Sequence, residues 1–145
     1  MTGRPLQPPS GDPPPVSVPI GDRAMLQLAP LAREICRQYA REFPDEAERY
    51  GQAGKAWCIH DNQYLLYWAA DSVHGYVDMH SQIAWLARVL ESRAFPLARL
   101  ARNLDLAAGV ARSRVRGGSG ESLAAVLDDA AAFVRSRHTF LDLED

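Results

Sequence analysis

The chain has 145 residues, 47% of them hydrophobic and 23% charged, with a formal net charge of −2. A chain of this length forms one domain that buries about two thirds of its unfolded surface, and the composition is that of a globular protein. The balanced charge gives no reason to expect nucleic acid or an anionic membrane surface as partner, and no uncharged apolar run approaches the roughly 18 residues of a membrane span.

Residues 1–22, MTGRPLQPPSGDPPPVSVPIGD, hold seven of the ten prolines. Proline removes an amide donor and fixes φ, so the segment reads as a disordered, polyproline-like arm outside the fold. Its basic start leads into no apolar stretch, so no secretion signal is expected and the cytoplasm is the expected compartment. There Cys36 and Cys58, which lack CxxC spacing, are expected as buried free thiols.

From Asp22 the period becomes helical. Asp22 can cap a first turn, Pro30 kinks or restarts the helix, and Leu28, Leu31, Ile35 and Tyr39 share one face. FPDEAERYG, residues 43–51, carries both ends of a short helix: proline at the first position, acids in the first turn, glycine after Tyr50. A third helix runs from Trp57 to about His74, with Gly75 as its stop. A fourth spans Asp78 to Arg93 on the stripe Met79, Ile83, Leu86 and Leu90; Pro96 opens a fifth on Leu97, Leu100, Leu104 and Ala108. RVRGGSG, residues 114–120, reads as a flexible connector with Ser119 capping a last helix that begins near Glu121 and turns Leu123, Leu127, Ala130 and Val134 inward. No strand alternation is expected. The fold class is therefore all-α: a compact bundle of five or six helices over residues 23–137, with a disordered Pro-rich N-terminal arm at 1–22 and a frayed acidic-hydrophobic tail at 138–145, in which Phe140 is the one residue placed to fold back.

The stretch WCIHDNQYLLYWAADSVHGYVDMH, residues 57–80, holds two of three tryptophans, one of two cysteines and three of four histidines. More than half of its helical circumference is apolar, which marks a rod surrounded by other helices. The remaining arc carries His60, Gln63, Tyr67, Asp71 and His74, aligned along one edge. Three readings compete for it: a face that meets water or whose groups bond to neighbouring backbone, a semi-polar pocket for a small molecule or tetrapyrrole, and a metal site. Asp71 and His74 have the i, i+3 spacing of paired ligands, but carboxylate-bridged metal bundles need a matching motif on a second helix, which Glu34, Glu42 and Glu91 do not supply. A haem needs only one proximal histidine, for which His60, His74 and His80 qualify equally. No metal or cofactor is favoured.

No catalytic residue is assigned. Cys58 and His60 project about 200° apart on a helix, a poor nucleophile–base pair, and no nucleophile elbow, phosphate loop or dinucleotide fingerprint is present. Arg99, Arg102, Arg112, Arg114 and Arg116 make a locally basic stretch that reads as a solvated face, without the aromatics of a nucleic-acid surface. Trp85 and Val89 project away from the main stripe of the fourth helix; this second patch packs on another helix of the same chain or forms an interface with a protein partner or a second copy of the chain.

The segment VDMHSQIAWLARVLESRAFPLARLARNL, residues 77–104, resembles helical sensor modules: the N-terminal non-haem globin-like domains of stressosome sensors, and helical segments that precede cobalamin-binding domains. The resemblance implies a helical input or docking module and carries over no functional residue. The expected function is a non-enzymatic regulatory or protein-interaction module. The alternative is a small-molecule, tetrapyrrole or metal-binding bundle using the His60–Asp71–His74 edge, which as an enzyme would do acid–base work there.

Overall fold

The computed structural model describes residues 13–21 and 24–141. Residues 1–12 of the expected arm, the Asp22 cap and the last four residues of the expected tail lie outside them. Five helices make an all-α bundle: α1 (Leu28–Glu42), α2 (Pro44–Val73), α3 (Met79–Ser92), α4 (Leu97–Arg114) and α5 (Gly117–Arg135). A two-stranded antiparallel ribbon, β1 (Ser17–Ile20) and β2 (Ala24–Gln27), precedes them. The most extensive helix pairs are α4 with α5 and α1 with α2, and α5 also packs on α2 and α3.

The helical stripes form the core. Leu28, Ile35, Leu66, Ile83, Leu104 and Leu127 are all fully buried, each contributing about 1.5–3 kcal/mol of transfer free energy. Pro44 occupies the first turn of α2 with Asp45 and Glu46, where acids complement the helix dipole. Gly51, at φ 60°, then breaks α2 into two helical stretches, and Gly75, at φ 80°, follows its end. At the start of α3 the Ser81 hydroxyl donates to the Asp78 carboxylate at 2.7 Å, which holds that carboxyl below its ordinary range.

Four expectations need correction. Residues 17–20 are a strand: Val18 and Ile20 point into the core while Pro19 points out, and β2 pairs with them from Ala24 to Gln27. Proline is tolerated there because a two-stranded ribbon has free edges where a missing N–H breaks no ladder. The Leu28 N–H donates to the Val16 carbonyl at 3.0 Å, tying the ribbon to the first turn of α1. The glycine-rich connector is also ordered. Helix α5 begins at Gly117, and buried Gly120 sits so close to the end of α4 that a Cβ would collide with the Val115 and Ala111 carbonyl oxygens. Third, the tail is fixed as far as Phe140, which folds back as expected and is fully buried against Phe133, with ring centroids 5.5 Å apart. Its N–H donates to Glu91 at 2.7 Å, as does the Thr139 hydroxyl, so the chain beyond α5 is pinned to α3 up to this point. Finally, Cys36 and Cys58 are joined in a disulfide, with Cα atoms 6.0 Å apart. Motif spacing is blind to this pairing, because the two positions lie on facing helices.

Candidate functional site

The expected polar edge is on α2, but it does not form an open seam. Gln63 is buried, and its side-chain amide donates to the Pro15 carbonyl at 2.9 Å. One residue on, the Tyr64 hydroxyl donates to the Pro13 carbonyl at 3.1 Å. The proline-rich segment before β1 thus lies across this side of α2. His60 sits edge-on to Trp57, and burial lowers its pKa, which favours the neutral ring. His74 lies at the end of α2 with its ring stacked on Tyr76. Tyr67 and Asp71 are half-buried on the same helix. Among the described residues no group of three or more His, Cys, Asp or Glu side chains is placed to hold a metal.

The other singled-out residues are engaged elsewhere. His80 stacks on Phe133 with centroids 4.1 Å apart and contacts Asp129 at 2.6 Å. Trp85 meets the edge of Trp68 at 6.4 Å and stays 37% exposed, while Val89 is half-buried. Four arginines of the basic stretch form ion pairs on a face that stays partly exposed to solvent: Arg99 with Asp45 and Glu46, Arg102 with Glu42, Arg112 with Asp128, and Arg114 with Glu34.

The structure instead opens a cleft of about 780 Å³ where α1, α2, α3 and α4 meet. Leu65, Leu86, Leu90 and Leu100 give it an apolar wall. At its base lie two buried amides, Asn62 and Asn103. Asn62 Nδ2 donates to Asn103 Oδ1 at 3.1 Å, and Asn103 Nδ2 donates back to Asn62 Oδ1 at 2.8 Å. Asn62 also donates to the Cys58 carbonyl at 3.0 Å. This leaves one N–H of Asn103 unspent among the described residues.

Asp61, Arg49 and Arg93 also line the cleft, and a further polar group there is a relay from Tyr39. The Tyr39 hydroxyl donates to Glu46, and Arg99 donates to the same carboxylate at 2.8 Å. Burial, reinforced by the bond to Glu46, pushes the tyrosine pKa far up, so the hydroxyl stays protonated. Its two acids hold the Arg99 guanidinium charged, Asp45 contributing most, and the guanidinium also lies over the Phe43 ring at 4.4 Å.

Neither asparagine was visible as a site residue in the sequence. The available signal was positional: Asn62 lies four residues before Leu66, and Asn103 three after Leu100, so each interrupts a core stripe with a group that needs a buried partner. Comparison with protein-family models, with curated proteins and with solved structures finds no match.

Proposed function

We propose that this chain is a non-enzymatic regulatory module that binds a small, largely apolar molecule in the cleft above Asn62 and Asn103. One observation carries the reading: a cleft of about 780 Å³, walled by leucines, with a buried amide pair at its base. Ligand sites are built this way, from apolar surface with a few convergent polar groups. The chemistry of the wall favours binding over catalysis. Glu46 is occupied by Tyr39 and Arg99, the Tyr39 proton is held, and Cys58 is tied up in the disulfide. The likeness of residues 77–104 to helical sensor modules fits an input role. The expected cytoplasmic setting belongs to this proposal too.

The test is titration of the full chain with a neutral apolar dye whose fluorescence rises on leaving water, alongside Ala53→Trp, which fills the cleft from its α2 wall. Saturable binding that Ala53→Trp abolishes at unchanged melting temperature supports the reading. Binding that survives the variant, or none at all, sinks it.

A second reading rests on the corner between α2 and α3, where Tyr76 is 76% exposed and Trp85 and Val73 are partly so. There a second copy of the chain would dock, with tryptophan at the centre of the contact. Light scattering of wild type against Trp85→Arg tests it: a wild-type monomer at high concentration removes this version.

A further inference from the structure

A second cleft, of about 900 Å³, runs along the α1–α2 pair and adjoins the first, sharing Tyr39, Glu46, Tyr50, Gly54 and Cys58 with it. Its residues on α1 climb one face in helical steps: Arg33, Arg37, Ala40, then Phe43 just beyond the helix. Lys55 and Ile59 of α2 face them, and Arg114, the last residue of α4, closes the cationic end. Tyr50 joins Phe43 at the other end. The cleft is therefore graded along α1: Arg33 and, through Glu34, Arg114 lie toward its start, Arg37 further along, and the Phe43 and Tyr50 rings at its close, with Lys55 of α2 on the facing wall.

The charge there is not cancelled. Glu34 is the carboxylate nearest the cations in sequence, and its side chain is only 11% exposed. It holds Arg37 and, at 3.2 Å, Arg114, with the Gln38 amide donating to it at 2.9 Å. One buried negative charge thus fixes two guanidinium forks, which orients their remaining N–H donors and leaves a positive charge over. Arg33 and Lys55 make no ion pair among the described residues. The second carboxylate of the lining, Glu46, is bound to Tyr39 and Arg99. A cationic pocket on a chain whose net charge is −2 attracts an anion by local design rather than by bulk charge.

We propose that this cleft binds a small organic phosphate. Its anionic head is held by Arg33, Arg37, Lys55 and Arg114, and its aromatic body lies against Phe43 and Tyr50. At 1.5 Å per helical residue, Arg37 and Arg33 lie about 9 and about 15 Å from Phe43 along α1, the spacing required between the two parts of the ligand. The cationic residues Arg33, Arg37, Lys55 and Arg114 line this cleft and not the leucine-walled one, so the charge-removing variant below tests this site by itself.

Isothermal titration calorimetry of the full chain uses three probes: adenosine monophosphate, adenosine and inorganic phosphate. The nucleotide should bind, each fragment should bind at least about ten-fold more weakly, and added salt should weaken the nucleotide. Arg33→Gln with Lys55→Gln, both exposed and free of ion pairs, should reduce nucleotide affinity about ten-fold or more without lowering the melting temperature. Arg41→Gln, outside the cleft, should change nothing. The proposal is overturned if adenosine or phosphate alone binds as well as the nucleotide, if the double variant binds normally, or if the nucleotide produces no saturable heat at millimolar concentration.

Discussion

Cutting the covalent tie between α1 and α2 should cost a calculable amount of stability. The bond spans 22 positions, and closing a loop of about that length removes unfolded-chain entropy worth about 3.4 kcal/mol at 25 °C. At this chain size each kcal/mol moves the melting midpoint by about 3 °C, so the loss should reach roughly 10 °C. Cys36→Ala with Cys58→Ala is a cleaner perturbation than reduction, because it leaves no thiol to reoxidise. Urea unfolding of the oxidised wild type and of the double variant gives the difference directly. Thiol titration of the denatured, unreduced chain supplies the second readout: the sequence holds two cysteines, so none should react. Two reactive thiols per freshly prepared chain, or a double variant within about 1 kcal/mol of the oxidised protein, would refute the reasoning.

Phe140→Ala should destabilise by about 3–5 kcal/mol in urea unfolding, as for a fully buried ring; a frayed tail would lose almost nothing. Glu91, which anchors that residue, is held below its ordinary pKa first by the Phe140 amide and then by the Thr139 hydroxyl. Its contribution is therefore present above the unfolded carboxyl value of about 4.3 and disappears as pH falls through the lower folded value, so the urea midpoint should drop more steeply on acidification in wild type than in Glu91→Gln. Gly120→Ala should cost about 1–3 kcal/mol, because the new methyl must push the start of α5 off the end of α4; thermal melts would show no change if that turn were loose. Asn103→Leu should cost about 1–3 kcal/mol by leaving Asn62 with an unmet partner, and adding Asn62→Leu should recover part of that loss. Additive costs in the double-mutant cycle would show that the two amides do not act as a pair.

How far the sequence carried depends on the range of the interaction. The helical stripes were legible because each is local: Met79, Ile83, Leu86 and Leu90 need only the period of their own helix to declare a buried face, and all four are buried. The stops at Gly51 and Gly75 were equally local, since a positive φ is cheap only for glycine. The ribbon was missed for the opposite reason. Pro19 argues against a strand wherever its neighbours on both sides need a donor, and nothing in VSVPI tells that this strand has a single partner. Phe140 in an acidic tail and glycines in RVRGGSG were read from composition, whereas Glu91 and the Val115 carbonyl, which fix them, lie on other elements.

The site was less legible than the fold because its polar groups are spent across the bundle. A row of His60, Gln63, Tyr67, Asp71 and His74 on one helix invites a shared role, yet the structure spends Gln63 on Pro15, 48 positions away, and stacks His74 on Tyr76. The asparagines at the base of the cleft are 41 positions apart, and neither is informative until the other is opposite it. The same holds for Glu34: alone it is one acid on an amphipathic helix, but between Arg37 and Arg114 it organises the cationic end of a cleft. A buried polar residue announces from sequence only that it needs a partner. Which surface that partnership shapes, and so which ligand the chain can take, is decided by the packing of α1, α2 and α4.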